Sequence, residues 1–383
     1  MRVLLFGNHS TGDGYPRLRV LAAGLRSLGV EVPEVRIPLL EGEGERARAA
    51  ASPLGFLAAG ARAAASATGL RGAYRRAPDH DAVLVGYPGV LAVKAARAGN
   101  RDRRRPVVLD AFLSLWDTAV NDRALAAPGS LRARALLRLD RSSCAAADLV
   151  LVDTEENARF FSERLAVPPE RILAVPVGAE PFRTPPPPPR PAGGPLEVLF
   201  FGTYVPLQGA AVIVEAAARL RGEGIRVTMV GRGQDLPAAR KRAASLGAGT
   251  GEIEFVEEFL PREALDLRIA AADVCLGVFG TTDKAARVVP CKVHDALAAG
   301  KALVTAGTPA ARSLLRDGED ALLVPAGDPG ALSAALVRLR GDAGLRARLG
   351  RGARRTFEER LSPEKVAAVL VEALEGACRP RTA

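Results

Sequence analysis

The chain has 383 residues, 48% of them hydrophobic and 25% charged, and its 53 Lys and Arg exceed its 43 Asp and Glu to give a net charge of +10. That length accommodates two domains with full cores, and no run of about 18 or more apolar residues is present to cross a membrane as a helix. The positive excess is shared evenly by the two halves and carried mostly by Arg. No basic tail singles out nucleic acid as the partner, whereas an anionic substrate or an anionic membrane surface accounts for the charge.

Met1–Gly7 reads as a first buried strand rather than a signal peptide, so a cytoplasmic location is expected, with the inner face of the membrane as the place of any membrane contact. Cys144, Cys275, Cys291 and Cys378 show no C-x-x-C spacing, and His9, His80 and His294 are dispersed. Neither a disulfide framework nor a metal centre is expected, and no cofactor.

In chain order, residues 2–7 form a strand, Asn8–Arg17 a glycine-containing loop, and Leu18, Leu21, Leu25 and Leu28 one face of a helix. Such a loop places backbone N–H groups at the carboxyl end of a sheet, where ligands bind; a plain strand-to-helix turn is the alternative. Val30–Ile37 is a second strand. Residues 45–76 interleave Arg with Leu and Phe, a pattern that fits either an interfacial amphipathic surface for peripheral membrane contact or a packed helical pair with solvated arginines.

Strands follow at Ala82–Tyr87 and Pro106–Phe112, the latter running into Asp110-Ala111-Phe112-Leu113-Ser114-Leu115-Trp116-Asp117-Thr118 and on to Asn121-Asp122-Arg123. Carboxylates and an aromatic face at a strand end suit a sugar, since carboxylates accept hydroxyl hydrogen bonds and a ring stacks on a pyranose; Asp117 and Asp122 equally suit helix caps. A helix from Ser130, strands at Leu149–Asp153 and Ile172–Val177 and the helix between them complete an alternating pattern, which argues for a parallel sheet covered on both faces.

Pro185–Pro189 in a row, with Gly193-Gly194, marks a semi-rigid linker over residues 181–195. It divides an N-terminal domain, residues 1–180, from a C-terminal one, residues 196–362, with a helix and tail over 363–383. The second half repeats the alternation, with loops at Gly202–Gly209, Gly231–Asp235 and Gly280–Lys292 expected to converge at the carboxyl ends of strands. Val288 to Val304 is its organising stretch: Pro290 opens a short helix, Gly300 closes it and a buried strand follows. Lys292 and Asp295 stand one turn apart near that helix N-terminus, a place to hold a nucleoside diphosphate, or else form an ordinary surface pair.

Lys292 to Gly300, continued by Lys301-Ala302-Leu303-Val304, resembles the K-x-x-E-A-M-A-A-G-K-P-V-V helix of group 1 (family 4) glycosyltransferases, with Asp295 at the usual Glu. The resemblance extends through Gly202–Gly209, Val230-Gly231-Arg232-Gly233 and Leu323–Asp328. It implies an α/β GT-B fold: two facing Rossmann-like domains with parallel sheets and a C-terminal helix crossing back to the first. It further implies retaining, metal-independent transfer of a sugar from a nucleoside-diphosphate sugar to a saccharide, lipid-linked or small-molecule acceptor, in glycan, polysaccharide or glycolipid synthesis.

By that resemblance Asp110, Arg287 and Lys292 form the catalytic set. The donor contacts are Gly12, Gly14, Gly202, Thr203, Gln208, Gly231, Arg232, Gly233, Lys284, Arg287, Lys292 and Asp295. The acceptor contacts are Asp13, Tyr15, Asp110, Trp116 and Asp117. The chain departs from the family pattern in having Arg287 where a second acid is usual, Thr203 and Gln208 where Arg and Lys are common, and Asp110 in the region of a histidine. Three cations, Lys284, Arg287 and Lys292, stand where two were lost. A nucleotide-sugar 2-epimerase and a non-catalytic nucleotide-sugar-binding protein are the rival readings.

Overall fold

The computed structural model describes residues 1–9, 16–37, 62, 66, 68–100, 105–185, 187, 193–249 and 251–378. The chain divides into two compact units: unit 1 comprises Met1–Val120, Ala124–Pro176 and Pro363–Ala383, and unit 2 comprises Asn121–Arg123 and Val177–Ser362.

Unit 1 carries a six-stranded parallel sheet in the order β2-β1-β3-β4-β5-β6. The strands are β1 (Val3–Gly7), β2 (Glu34–Arg36), β3 (Ala82–Val85), β4 (Val107–Asp110), β5 (Leu149–Val152) and β6 (Ile172–Ala174). All residues of β1, β3 and β4 are buried, because helices cover both faces of a parallel sheet and leave an alternating pattern no use. β2 is shorter than the expected Val30–Ile37. Pro33 has no N–H to give and confines regular pairing at this sheet edge to the residues after it, leaving a lone bridge from Arg2 to Glu31.

The helices of the first stretch are α1 (Arg17–Ser27), α2 (Ala92–Gly99), α3 (Leu131–Ala146) and α4 (Glu155–Leu165). Ser130 and Thr154 start α3 and α4 by accepting the N–H groups of Ala133 and Asn157. Leu18, Leu21 and Leu25 are buried, but Leu28, expected on the same face, lies past the helix end and is 37% exposed. Residues 68–75 are helical, with Leu70 and Tyr74 buried and the Tyr74 ring edge-on to Phe6 at 5.5 Å. Those two side chains therefore serve the core and not a membrane face, while most of residues 45–67 lies outside the described residues.

Unit 2 carries a second six-stranded parallel sheet, in the order β12-β11-β10-β7-β8-β9. Its strands are β7 (Leu196–Phe201), β8 (Ile225–Val230), β9 (Ile253–Val256), β10 (Val274–Leu276), β11 (Ala302–Ala306) and β12 (Leu322–Val324). The winding starts at β7, proceeds outward through β8 and β9, and then reverses at β10. In such sheets the crevice outside the carboxyl ends of the strands at the reversal is where ligands bind.

Its helices are α5 (Ala210–Arg219), α6 (Leu236–Ser245), α7 (Arg262–Ala271), α8 (Asp283–Arg287), α9 (Cys291–Ala298), α10 (Pro309–Leu314), α11 (Pro329–Gly341) and α12 (Ala343–Thr356). The polar stretch around Asp283, expected as loop, forms α8 because Thr282 accepts the Ala285 N–H at 3.1 Å and caps it. A final helix, α13 (Pro363–Cys378), groups with unit 1. It buries Val366, Ala367, Leu370 and Leu374 in the cluster that holds Val20, Leu21 and Leu25 of α1.

Candidate functional site

The loops after β7, β8 and β10 are bound to one another through their backbones. Gly202 donates its N–H to Val230 O at 3.0 Å, Tyr204 to Arg232 O at 2.9 Å, Phe279 to Gln208 O at 3.1 Å and Gly280 to Leu207 O at 3.2 Å. Two glycines make this approach feasible. Gly231, at φ +132°, would place a Cβ 2.0 Å from Gly202 O, and Gly202, at φ +139°, would place one 3.1 Å from Lys292 Nζ.

Pro290 precedes α9, and Lys292 in its first turn is only 5% exposed. Its ammonium donates to Gln208 Oε1 at 2.5 Å and lies 3.6 Å from the centroid of the Phe200 ring. Both partners are neutral, and among the described residues Lys292 has no carboxylate partner. Burial holds its pKa well below the usual lysine range. A buried ammonium whose partners are an amide and a ring is chemically able to take an anionic oxygen as a further partner.

Lys284, on α8, is likewise buried, with its Nζ 3.8 Å from Asp122 Oδ2. Asp122 Oδ1 accepts the Leu207 N–H at 3.3 Å. Arg287 is partly exposed and donates from Nε to Asp283 O at 3.1 Å. Arg232 turns its guanidinium to Glu257 O at 2.5 Å, and Gly233 packs its backbone against that of Tyr204. Thr203 stands in the same loop, between Gly202 and Tyr204.

Asp295 is buried one turn after Lys292 and does not pair with it. Its Oδ1 accepts from Arg262 Nη1 at 2.9 Å, while Arg262 Nε reaches Asp266 at 2.8 Å. Burial pushes the Asp295 carboxyl up, against the pull of Arg262. The two residues of the organising helix are thus both buried and point to different partners, which removes the surface-pair alternative.

In unit 1 the expected site residues are distributed differently. Asp110, at the end of β4, is buried in an ion pair with Arg17, Nε to Oδ1 2.7 Å. Burial raises its carboxyl above the usual range despite Arg17. Trp116 belongs to a small apolar cluster with Ala119, Val120 and Leu136; its indole stacks with Phe160 at 6.3 Å and lies under the Arg164 guanidinium at 4.4 Å. The expectation of a ring presented to a pyranose is corrected here: the ring is spent on the core. Asp117 is buried at a helical turn capped by Ser114. Gly12, Asp13, Gly14 and Tyr15 lie outside the described residues.

Four residues with defined roles carry no sequence signal. Arg17 and Arg262 each neutralise a buried carboxylate distant in sequence. Asp140 accepts from Ser114 Oγ at 2.7 Å and Trp116 N at 2.9 Å, organising the turn after β4. His9, 1% exposed at the end of β1, contacts Glu34 Oε1 through Nε2 at 2.8 Å, and burial lowers its pKa. Among the described residues no group of three or more His, Cys, Asp or Glu is placed to hold a metal ion, and no helix is long and apolar enough to cross a membrane.

The two reversing parallel sheets, the linked glycine loops and the returning last helix define a GT-B fold. Sucrose-phosphate synthase from Thermosynechococcus elongatus superposes with a TM-score of 0.71 at 17% identity, covering 98% of this chain and 99% of that one. The Anabaena protein HepE, solved in complex with UDP-glucose, superposes with a TM-score of 0.68 at 15% identity, covering 98% and 100%. Residues 195–342 match the family model described as glycosyl transferases group 1, the family that the Lys292–Val304 stretch resembles. A D-inositol 3-phosphate glycosyltransferase of Acidothermus cellulolyticus is 30% identical over 227 residues, 55% of this chain and 49% of that protein. The chain spans about half the length of the curated relatives it matches.

Proposed function

We propose that the protein is a retaining glycosyltransferase that moves a sugar from a nucleoside-diphosphate sugar to an acceptor hydroxyl. The donor is held by unit 2 and the acceptor by unit 1. The observation that carries the reading is the buried ammonium of Lys292, set against Gln208 and Phe200 beside the Cβ-free Gly202. Leaving a charge out of water with neutral partners is unfavourable, and an anionic oxygen offsets this through a charge-assisted hydrogen bond. The diphosphate of a nucleotide sugar is such an anion, and HepE, whose fold is shared, is described in complex with UDP and UDP-glucose.

As the bond from the anomeric carbon to the diphosphate breaks, negative charge grows on the leaving oxygen. Lys292 and Lys284 stabilise that charge inside a dry site, with Arg287 at its edge, so the positive charge the reaction needs comes from side chains and no metal is required. The acceptor hydroxyl attacks from the leaving-group side and its proton passes to the departing phosphate, which retains the configuration. Asp295, steadied by Arg262, offers its second oxygen to the ribose hydroxyls. Asp110 holds unit 1 together through Arg17 and is given no proton to carry.

The curated relative's name puts an inositol phosphate first among acceptors to try, followed by saccharides and lipid-linked saccharides. The reaction belongs to glycolipid or polysaccharide synthesis in the cytoplasm, with residues 45–76, apart from the core residues Leu70 and Tyr74, as the place of peripheral membrane contact. The test is calorimetric titration of UDP into wild type and Lys292→Ala, then release of UDP from UDP-sugars with and without acceptor. Micromolar binding lost in the variant, and acceptor-dependent release of UDP, support the reading. Equal binding by both proteins removes Lys292 from the site; binding without release under any acceptor leaves a sugar-nucleotide-binding protein.

A further inference from the structure

Asp122 arrives at the buried cations of unit 2 on a wide five-residue π turn, Thr118–Asp122. Both it and Lys284 are nearly inaccessible, at 4% and 3% exposure, yet their charged atoms stand 3.8 Å apart, beyond hydrogen-bond length. Its other oxygen takes the Leu207 N–H at 3.3 Å, also long. Both of these contacts of the carboxylate are long, and each donor is one that a phosphate oxygen can also take.

The neighbourhood points the same way. Leu207 is followed directly by Gln208, which holds the Lys292 ammonium, so the single turn Pro206–Gln208 joins Asp122's donor to the second buried cation. Asp235 lies close enough for the Asp122 charge, added to burial, to push its carboxyl up. Asp122 thus combines long contacts to Lys284 and the Leu207 N–H with the repulsion of a second acid.

We propose that Asp122 is the resident counter-anion of the phosphate site, occupying Lys284 and the Leu207 N–H in the empty protein and yielding them to the diphosphate of the donor. The inference rests on the donor reading given above and adds that this carboxylate sets the donor's affinity by competing with it. Displacement moves no covalent bond: one anion leaves the ammonium and the amide as another arrives. A π turn departs from regular α-helical hydrogen bonding, and turns of this kind recur at functional sites.

Titration of UDP into wild type, Asp122→Asn, Asp122→Ala and Lys292→Ala tests this, with the unliganded melting temperature of each variant recorded beside it. Asp122→Asn keeps the shape and removes one negative charge from beside Lys284, so UDP should bind roughly tenfold tighter or more, the direction and scale expected when a competing unit charge about 4 Å from an ammonium is removed. Asp122→Ala should move affinity the same way, and inorganic pyrophosphate should raise the melting temperature of Asp122→Asn more than that of wild type. Unchanged or weaker UDP binding by a folded Asp122→Asn protein overturns the proposal. If wild type binds UDP, Lys292→Ala does not, and neither Asp122 variant gains, the donor reading stands and this inference falls. If wild type binds none of UDP, GDP, ADP and dTDP, both fall together.

Discussion

The Arg17 guanidinium and the Asp110 carboxylate meet at 2.7 Å with both side chains buried. The same guanidinium donates to the carbonyls of Val175 at 2.7 Å and Val152 at 3.3 Å and stands 5.4 Å from the centre of the Phe112 ring. One cation at the start of α1 therefore ties together the carboxyl ends of β4 and β5 and the chain leaving β6.

Removing one member of such a pair leaves the other charged and buried, which costs about 3–5 kcal/mol, whereas replacing both with apolar groups is far milder. Asp110→Leu should therefore lower unfolding stability by that amount in urea, and Arg17→Met/Asp110→Leu should recover part of it. A stable Asp110→Leu protein that binds acceptor poorly would return Asp110 to the acceptor site.

Lys292 supplies a pH dependence. Its folded pKa lies well below the usual lysine value because of burial, so between the folded pKa and the unfolded value near 10.4 the unfolded chain binds more protons. The Lys292 penalty is then full below the folded pKa, and stability recovers as pH rises through that window. A bound diphosphate favours the charged form, so UDP binding should take up protons and weaken with rising pH. Calorimetry in buffers of different ionisation enthalpy reads the uptake directly; an uptake unchanged in Lys292→Met would show that another group carries it.

Docking of α13 on α1 depends on Gly24, where an added Cβ would lie 1.8 Å from Pro363 O and 2.7 Å from the Ala367 Cβ. A backbone carbonyl cannot rotate aside, so Gly24→Ala should destabilise by about 3 kcal/mol, the upper end for overpacking. Hydrogen exchange should show the loss first in α13. Unchanged protection there would mean that the helix shifts without loss of packing.

Trp116 is the chain's only tryptophan and is 7% exposed. Its emission should be blue-shifted, weakly quenched by iodide and unaltered by saccharide acceptors. Strong quenching by iodide, or a change on adding acceptor, would expose the indole and restore a stacking role.

The sequence by itself determined what is local. Unbroken apolar runs marked strands buried on both faces, Leu18, Leu21 and Leu25 marked a helix face, and Pro290, Lys292 and Gly300 marked a helix with a charge near its start. Each depends on a fixed period or on the backbone chemistry of one residue, and both are written in neighbouring positions. The tertiary structure alone decided which partner each charged or aromatic side chain found. Arg17 meets Asp110 across 93 positions, Asp122 meets Leu207 across 85 and Arg262 meets Asp295 across 33. No spacing rule connects such residues. A carboxylate or an indole suits a sugar and a core equally until burial removes it from water, and burial belongs to the packed sheets and helices, which is why Trp116 looked like a ligand platform and Asp122 like a helix cap.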